Sequence, residues 1–349
     1  MKQPQSTYVI GEIGQNHNGS MILAKEIIDR AARPVVDGLF GRELKRMDAV
    51  KFTKRDLAEE LSASAMNRPY DNPNSFGKTY GEHREALELS EEEHFELYNY
   101  TKALGLDFVE TLCATGCLSM LKLFTPDKLK VASRDLTNLP LLEAMAETEI
   151  PLILSTGMGG PKELDNALEV ITKHHDDITI LHCLSQYPSD YQNINLNTIK
   201  YLQKNYSQYT IGYSDHSIGV MVPVAAVTMG AAVIEKHITL DRELKGTDQK
   251  GSLAPEGIYR MMRDIRNLEY TLGVEEMRVE DAVLDAQKKL ERSLASNKPL
   301  KEGQIITSDD VHLLSPGDGV KYADRDLIVG KRLNKDLAAD EIIYQDFVS

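Results

Sequence analysis

A chain of 349 residues, 42% of them hydrophobic, has the length for one large packed domain and a small one, and its net charge of −14 repels nucleic acid and anionic membrane alike. No apolar run reaches the roughly 18 residues of a membrane span, and Met1–Ser6 carries no signal-like apolar core. Three cysteines, Cys113, Cys117 and Cys183, are an odd number that argues against a disulfide framework, no second cysteine pair completes a zinc site, and a cytoplasmic setting is expected.

Short apolar strands alternate with helical stretches along most of the chain, the pattern of an α/β fold with a parallel sheet. The strands are predicted at Tyr8–Ile13, Asp48–Phe52, Asp107–Leu112, Lys128–Ala132, Pro151–Ser155, Ile178–Cys183, Thr210–Ser214 and Val233–Ile238. Helices are predicted over Met21–Ala32 behind Asn18-Gly19-Ser20, over Glu91–Leu104 behind a Ser90/Glu93 capping box, and over Pro255–Leu272 with Gly273 as its stop. Eight βα units in about 270 residues is the size of a TIM barrel. Two connections are longer than a minimal barrel needs, Pro34–Met47 and Thr53–Leu89, and the second has the Gly- and aromatic-bearing character of a loop that covers an active site. After a charged helical connector, Val274–Leu290, short strands and turns fill Arg292–Ser349. The domains are therefore set at 1–275 for the barrel, 276–291 for the linker and 292–349 for a small β-rich module.

In a TIM barrel the chemistry sits at the C-terminal ends of the strands. Every predicted strand ends in polar residues: Glu12; Lys51; Thr111; Lys130 with Ser133 and Asp135; Ser155; His182 and Ser185; Ser214, Asp215 and His216; Glu235 and His237. Lys51 and Lys130 with the hydroxyls of Thr111, Ser133, Ser155 and Ser214 form a cationic, hydrogen-bonding cage suited to a phosphate with an adjoining carboxylate. His216 and His237, beside Asp215 and Glu235, suit a divalent first-row metal with open positions; Mn2+ is expected, with Mg2+ or Co2+ as alternatives. Glu12 is placed to orient or deprotonate a water, and Asp135 and Asp248 to bind the hydroxyls of a polyol.

The stretches Glu12-Ile13-Gly14-Gln15-Asn16-His17-Asn18-Gly19, Leu154-Ser155-Thr156-Gly157-Met158, His182-Cys183 with Tyr187-Pro188, Ser214-Asp215-His216 and Glu235-Lys236-His237-Ile238-Thr239 occur in an order that resembles the sialic acid synthase family. Arg292–Ser349 likewise resembles the antifreeze-like (SAF) domain that follows the barrel there. The resemblance implies condensation of phosphoenolpyruvate with the aldehyde of N-acetylmannosamine, its 6-phosphate or a related hexose. It assigns Lys51, Thr111, Lys130, Ser133, Ser155 and Ser214 to phosphoenolpyruvate, His216 and His237 to the metal, Asn74, Asp135, Tyr187 and Asp248 to the sugar, and Glu12 to the water. It also implies a domain-swapped homodimer in which the small module of one chain covers the barrel of the other.

Three positions depart from the pattern. Thr53 stands where a glutamine is frequent, Arg134 where a glycine is common, and Ser315 where an arginine before Pro-Gly-x-Gly reaches the N-acetyl group of the sugar. The identity of the hexose, acylated or not and phosphorylated or not, stays open on this basis. The competing readings are a metal-dependent TIM-barrel hydrolase or aldolase acting on a sugar phosphate, and a non-enzymatic binding protein built around the small module.

Overall fold

A computed structural model describes residues 6–349. Residues 1–5, on which the reading of a chain start without an apolar leader falls, lie outside the described residues. Eight parallel strands close into a barrel: β1 Tyr8–Gly14, β2 Ala49–Lys54, β3 Asp107–Leu112, β4 Lys128–Val131, β5 Leu152–Ser155, β6 Ile178–Cys183, β7 Thr210–Asp215 and β8 Val233–His237. They follow one another around the wall in chain order, and β1 closes the ring by pairing with both β8 and β2. The TIM architecture expected from the alternating pattern is the one observed, with strand limits shifted by two residues or fewer.

The two-residue repeat of a strand sorts the barrel's side chains into an inward and an outward set. Val9, Val50, Phe52, Phe108, Leu129, Leu152, Leu154, Ile180 and Ile234 face out into the main hydrophobic core beneath the helices. Ile10, Ala49, Val109, Ile153, Leu181 and Val233 face in and form a separate apolar plug inside the barrel. Gly212 belongs to the same inner row: a Cβ there would stand 2.5 Å from the Val233 carbonyl oxygen and 2.6 Å from Leu181, so the plug closes only around a glycine. One step of two residues further along the strands, the inward positions are polar, with Cys183 on β6 as the exception.

The predicted helix starts have physical anchors. Ser20 caps Met21–Ala31 by accepting from the Leu23 amide, and Ser90 and Glu93 form the reciprocal box that opens Glu91–Ala103. The last barrel helix, Pro255–Thr271, carries its proline in the first turn and is followed by Gly273 at φ +58°. It also locks the N-terminal end of the barrel. Arg266, 2% exposed, donates to Asp48 Oδ2 and Glu269 Oε1 at 2.8 Å each and to the carbonyls of Lys45, Arg46 and Thr7. The two carboxylates in turn accept from the backbone amides of Val9 and Thr7.

Two connections differ from the sequence reading. Pro34–Met47, expected only to be longer than a minimal barrel needs, holds a small antiparallel hairpin, Val35–Asp37 with Arg42–Leu44, whose three-residue strands carry no measurable period in the sequence. Within Val274–Leu290 the only α-helix is Leu284–Leu290, preceded by a single 3-10 turn at Asp281–Val283. The charges of that stretch suit a helix, but it has too few apolar positions to bury a continuous face.

Contacts divide the chain into two compact units, Met1–Gly273 and Val274–Ser349. The second contains the antiparallel pair β9 Ser293–Ser296 and β10 Val311–Leu314 and has a core of its own built on Leu294, Leu300, Ile306, Val320, Ile328, Leu333, Leu337 and Ile343. Among the described residues no helix is long and apolar enough to cross a membrane.

Candidate active site

The polar inward row sits on the apolar plug and floors a cavity of about 480 Å³. Glu12, Lys51, Thr111, Lys130, Ser155, Ser214 and Glu235 are all buried and all line it. They reach the same level because their strands pair in register: Glu12 with Lys51, Thr111 with Lys130, and Ser214 with Glu235. Lys51 donates to Thr111 Oγ1 at 2.9 Å and stands 2.7 Å from Glu12 Oε2, while Lys130 lies 3.6 Å from Glu235 Oε1, which accepts from Ser214 Oγ at 3.1 Å. The sequence reading of a cationic cage is refined here: two carboxyl groups, Glu12 and Glu235, share the floor with the two lysines, so it is not purely cationic.

Glu12 and Glu235 occupy this floor in different states. Burial pushes the Glu12 carboxyl up to about 7 against the pull of Lys51. Burial acts on Glu235 in the same sense, but the Lys130 and Lys51 ammoniums outweigh it and hold that carboxyl at about 2. Three buried atoms around this cavity have no hydrogen-bond partner: Glu235 Oε2, Ser155 Oγ and, one level up, His237 Nδ1. Such orphans are uncommon in a folded interior, and their convergence on one cavity marks it as a place where a polar ligand completes the bonding.

The next inward step brings His216 and His237 into the upper wall, with ring centroids 5.5 Å apart. His216 Nδ1 donates to the Leu184 carbonyl at 2.7 Å, which leaves the lone pair on Nε2. Burial and the neighbouring His237 hold His216 down at about 4; burial, reinforced by Lys51, holds His237 at about 3. Both rings are therefore neutral near pH 7, the form that ligates a metal. Among the described residues no group of three or more His, Cys, Asp or Glu side chains is arranged to enclose an ion. Two imidazoles, one with an unpartnered buried nitrogen, fit an ion that keeps open positions. Behind them Lys236 and Asp215, both fully buried, pair at 2.5 Å; Asp215 also accepts from Tyr213 and Ser217, so β7 and β8 are fixed to each other at the residues next to the histidines.

Tyr187 covers His216 with ring centroids 4.0 Å apart, and Asp248 and Thr247 enter from the loop after β8. That loop is tied to the one after β1: Asn16 donates to the Ile238 carbonyl and to Ser252, Gln249 donates to the Asn16 carbonyl, and Asn18 donates to that of Lys245. Ser133 lines the cavity and accepts from the Gly157 amide at 3.0 Å. Asp135 and Asn74 do not line it. Asp135 is held 3.2 Å from the Arg134 guanidinium, and the Asn74 amide closes a turn on Asn72 Oδ1 at 2.8 Å. His182 faces away from the cavity and meets the Ile194 carbonyl at 2.7 Å, because the inward residue of that strand is its neighbour Cys183. The sequence reading missed Arg55 and Arg84, which come from the long connection after β2, and the wall positions of Cys113 and Cys183.

Residues 43–277 match the NeuB family, and residues 291–349 match the SAF domain. The chain belongs to the NeuB family. It is 34% identical to an N,N'-diacetyllegionaminic acid synthase of Legionella pneumophila over 95% of this chain and 92% of the relative. It is 32% identical to the human N-acetylneuraminate-9-phosphate synthase over 98% of this chain and 92% of that one. Among solved structures, an N-acetylneuraminic acid synthetase from Leptospira borgpetersenii, crystallised with citrate, is similar at a TM-score of 0.67 and 30% identity, covering 80% of this chain and 90% of its own. The NeuB match begins after β1, so Glu12 is related to the family through the longer alignments with these relatives.

Proposed function

We propose that this member of the NeuB family condenses phosphoenolpyruvate with the open-chain aldehyde of an N-acetylmannosamine-type hexose, releasing inorganic phosphate and a nine-carbon 2-keto acid. The observation that carries the proposal is the division of one cavity into a lysine and hydroxyl floor and a histidine-bearing upper wall. Lys51, Lys130, Thr111, Ser155 and Ser214, with Ser133 above them, hold phosphoenolpyruvate through charge-assisted hydrogen bonds. Asp248 and Tyr187 meet the sugar; Asp135 and Asn74 remain its more distant candidates.

His216 and His237 would hold a divalent ion, for which manganese is the first choice, and such an ion supplies Lewis-acid polarisation of the aldehyde oxygen. The methylene carbon of phosphoenolpyruvate bonds to the aldehyde carbon, and water adds to the carbon bearing the phosphate ester. Glu12, lifted toward neutrality by its burial, takes the proton of that water, and the tetrahedral centre expels phosphate by C–O cleavage. Seated against Lys51, the carboxylate that acts on the water lies beside the residues that hold the anion being expelled.

The same reading pairs two chains, with the small unit of each covering the partner's barrel. The three free, buried cysteines favour a reducing cytoplasmic setting. The test is phosphate release from phosphoenolpyruvate with manganese and a panel of mannose derivatives. Absence of release with every sugar removes the proposal, and light scattering at micromolar protein decides the dimer.

A further inference from the structure

His83, in the long connection after β2, is 0% exposed and only half satisfied. Its Nδ1 accepts from the Phe76 amide at 3.2 Å, and its Nε2 has no partner. A neutral ring whose Nδ1 accepts carries its proton on Nε2, so the orphan is a donor. Burial holds the ring below its ordinary value, with Arg84 and Lys245 acting in the same sense; the charge that opposes them is that of Asp248. An N–H buried without a partner is costly, and one kept in a native fold calls for an explanation.

The surroundings of the ring supply one. His83 lies on the short helix Tyr80–Glu85, opened by the Thr79/Glu82 capping box, and its ring packs against Tyr70 and Phe76 at 4.7 and 5.9 Å between centroids. The loop after β8 runs against this aromatic packet: Lys245 places its ammonium 4.7 Å from the Phe76 ring centre, and three residues on, Asp248 lines the cavity. The backbone of that loop is anchored, since Ser252 donates to the Asp248 carbonyl, Gln249 to that of Asn16, and Asn18 to that of Lys245. The Asp248 carboxylate is not: among the described residues no donor engages it. An unpartnered donor on one connection and an unpartnered acceptor on the other are thus close enough for the charge of the acid to act on the ring.

We propose that His83 is a positioning residue for the sugar: its Nε2–H bonds the Asp248 carboxylate when the hexose enters, and so aims the carboxylate's remaining lone pairs at the sugar hydroxyls. This rests on the synthase reading and deepens its sugar subsite. The histidine acts through Asp248 and not by contact, since a fully buried ring reaches no ligand itself. A hydrogen bond to a carboxylate that forms only in the loaded site contributes about 10-fold or more to affinity.

Two substitutions each keep one half of the ring. Asparagine reaches the place of Nδ1, so it can still accept from the Phe76 amide but offers no donor at Nε2; glutamine reaches Nε2 and keeps the donor. His83→Asn and His83→Gln are compared with the wild type in phosphate release from phosphoenolpyruvate, with manganese and the panel of mannose derivatives. The sugar KM is expected to rise about 10-fold or more in His83→Asn and to stay within about 3-fold of wild type in His83→Gln, while kcat and the KM of phosphoenolpyruvate hold in both. In the Asp248→Ala background the effect of His83→Asn should vanish. A ring that serves only to hold Phe76 gives the reverse order of the two variants. That order, an equal response of both, a rise in the KM of phosphoenolpyruvate in place of the sugar's, or additive effects with Asp248→Ala overturns the proposal. If no sugar releases phosphate from the wild type, the synthase reading falls, and calorimetric binding of the same sugars to the three proteins decides the histidine: the same order upholds its role, and any other result, absence of binding included, overturns it.

Discussion

At the N-terminal end of the barrel, Arg266 is buried with its donors matched to two carboxylates and three carbonyls, and those carboxylates also accept from backbone amides. At the C-terminal end, Ser155 and Glu235 are buried as deeply, and they and the less buried His237 each keep an atom without a partner. Polar groups at the first end complete one another and hold the wall together. Those at the second are held in place by the wall and left incomplete, so their bonding capacity is available to a ligand. Burial of charge alone therefore does not mark a site; unsatisfied buried groups that converge on one cavity do.

Substitutions at the two ends should separate stability from turnover. The largest effect is expected for His237→Ala, which should lower kcat by about 1,000-fold or more, since it removes several kcal/mol of charge stabilisation, with little change in melting temperature. Measured together, steady-state rates and calorimetric melting break the comparison if melting falls as far as the rate does. Arg266→Ala should do the opposite. It strands Asp48 and Glu269 and costs about 3–5 kcal/mol of unfolding free energy in a urea titration, while the protein still folded keeps its kcat. Glu12→Gln keeps the shape of the floor but cannot accept a proton, and should slow turnover by about 100-fold while phosphoenolpyruvate still binds.

Smaller effects sharpen the contrast. His17, buried in the turn after β1, is held at about 3 by burial and then by His94, against its ordinary 6.5. The unfolded chain thus takes up a proton that the folded chain refuses. Stability is full above the unfolded value and falls as the pH drops from 6.5 toward 3, by at most about 1.4 kcal/mol per pH unit. His17→Gln should flatten that part of the stability–pH curve. The smallest change is expected for Ser155→Ala. Its hydroxyl has no partner to lose, so stability should stay within about 0.5 kcal/mol of wild type while the KM of phosphoenolpyruvate rises several-fold; a clear loss of stability would show that the hydroxyl is already satisfied.

The barrel was legible because buried parallel strands are continuous apolar runs with polar ends, and all eight stand out against their flanking helices. The floor residues followed from the same pattern, since Lys51, Thr111, Lys130, Ser155, Ser214 and Glu235 lie at strand ends. Parity was harder to read. His182 and Cys183 are equally close to the end of β6, and only the register with Ser214 shows that the cysteine faces in and the histidine out. Arg55 and Arg84 were out of reach for a different reason: they belong to a connection between β2 and β3 whose path across the mouth is set by tertiary contacts, such as that of Arg84 with Gln15. The acid content of the floor was equally hidden, because it depends on which carboxyl groups share a level with the lysines.

The apolar plug under the floor sets the order of traffic. With Ile10, Val109, Ile153 and Leu181 filling the barrel below, the cavity is a blind well, and the lysine level lies one strand step deeper than the histidines. On the proposed reading phosphoenolpyruvate must arrive before the sugar that stacks above it, and the nine-carbon product must depart before the next molecule descends. Reactants and product share one doorway, so the sugar, once seated, also serves as the stopper that keeps the deeper substrate from escaping.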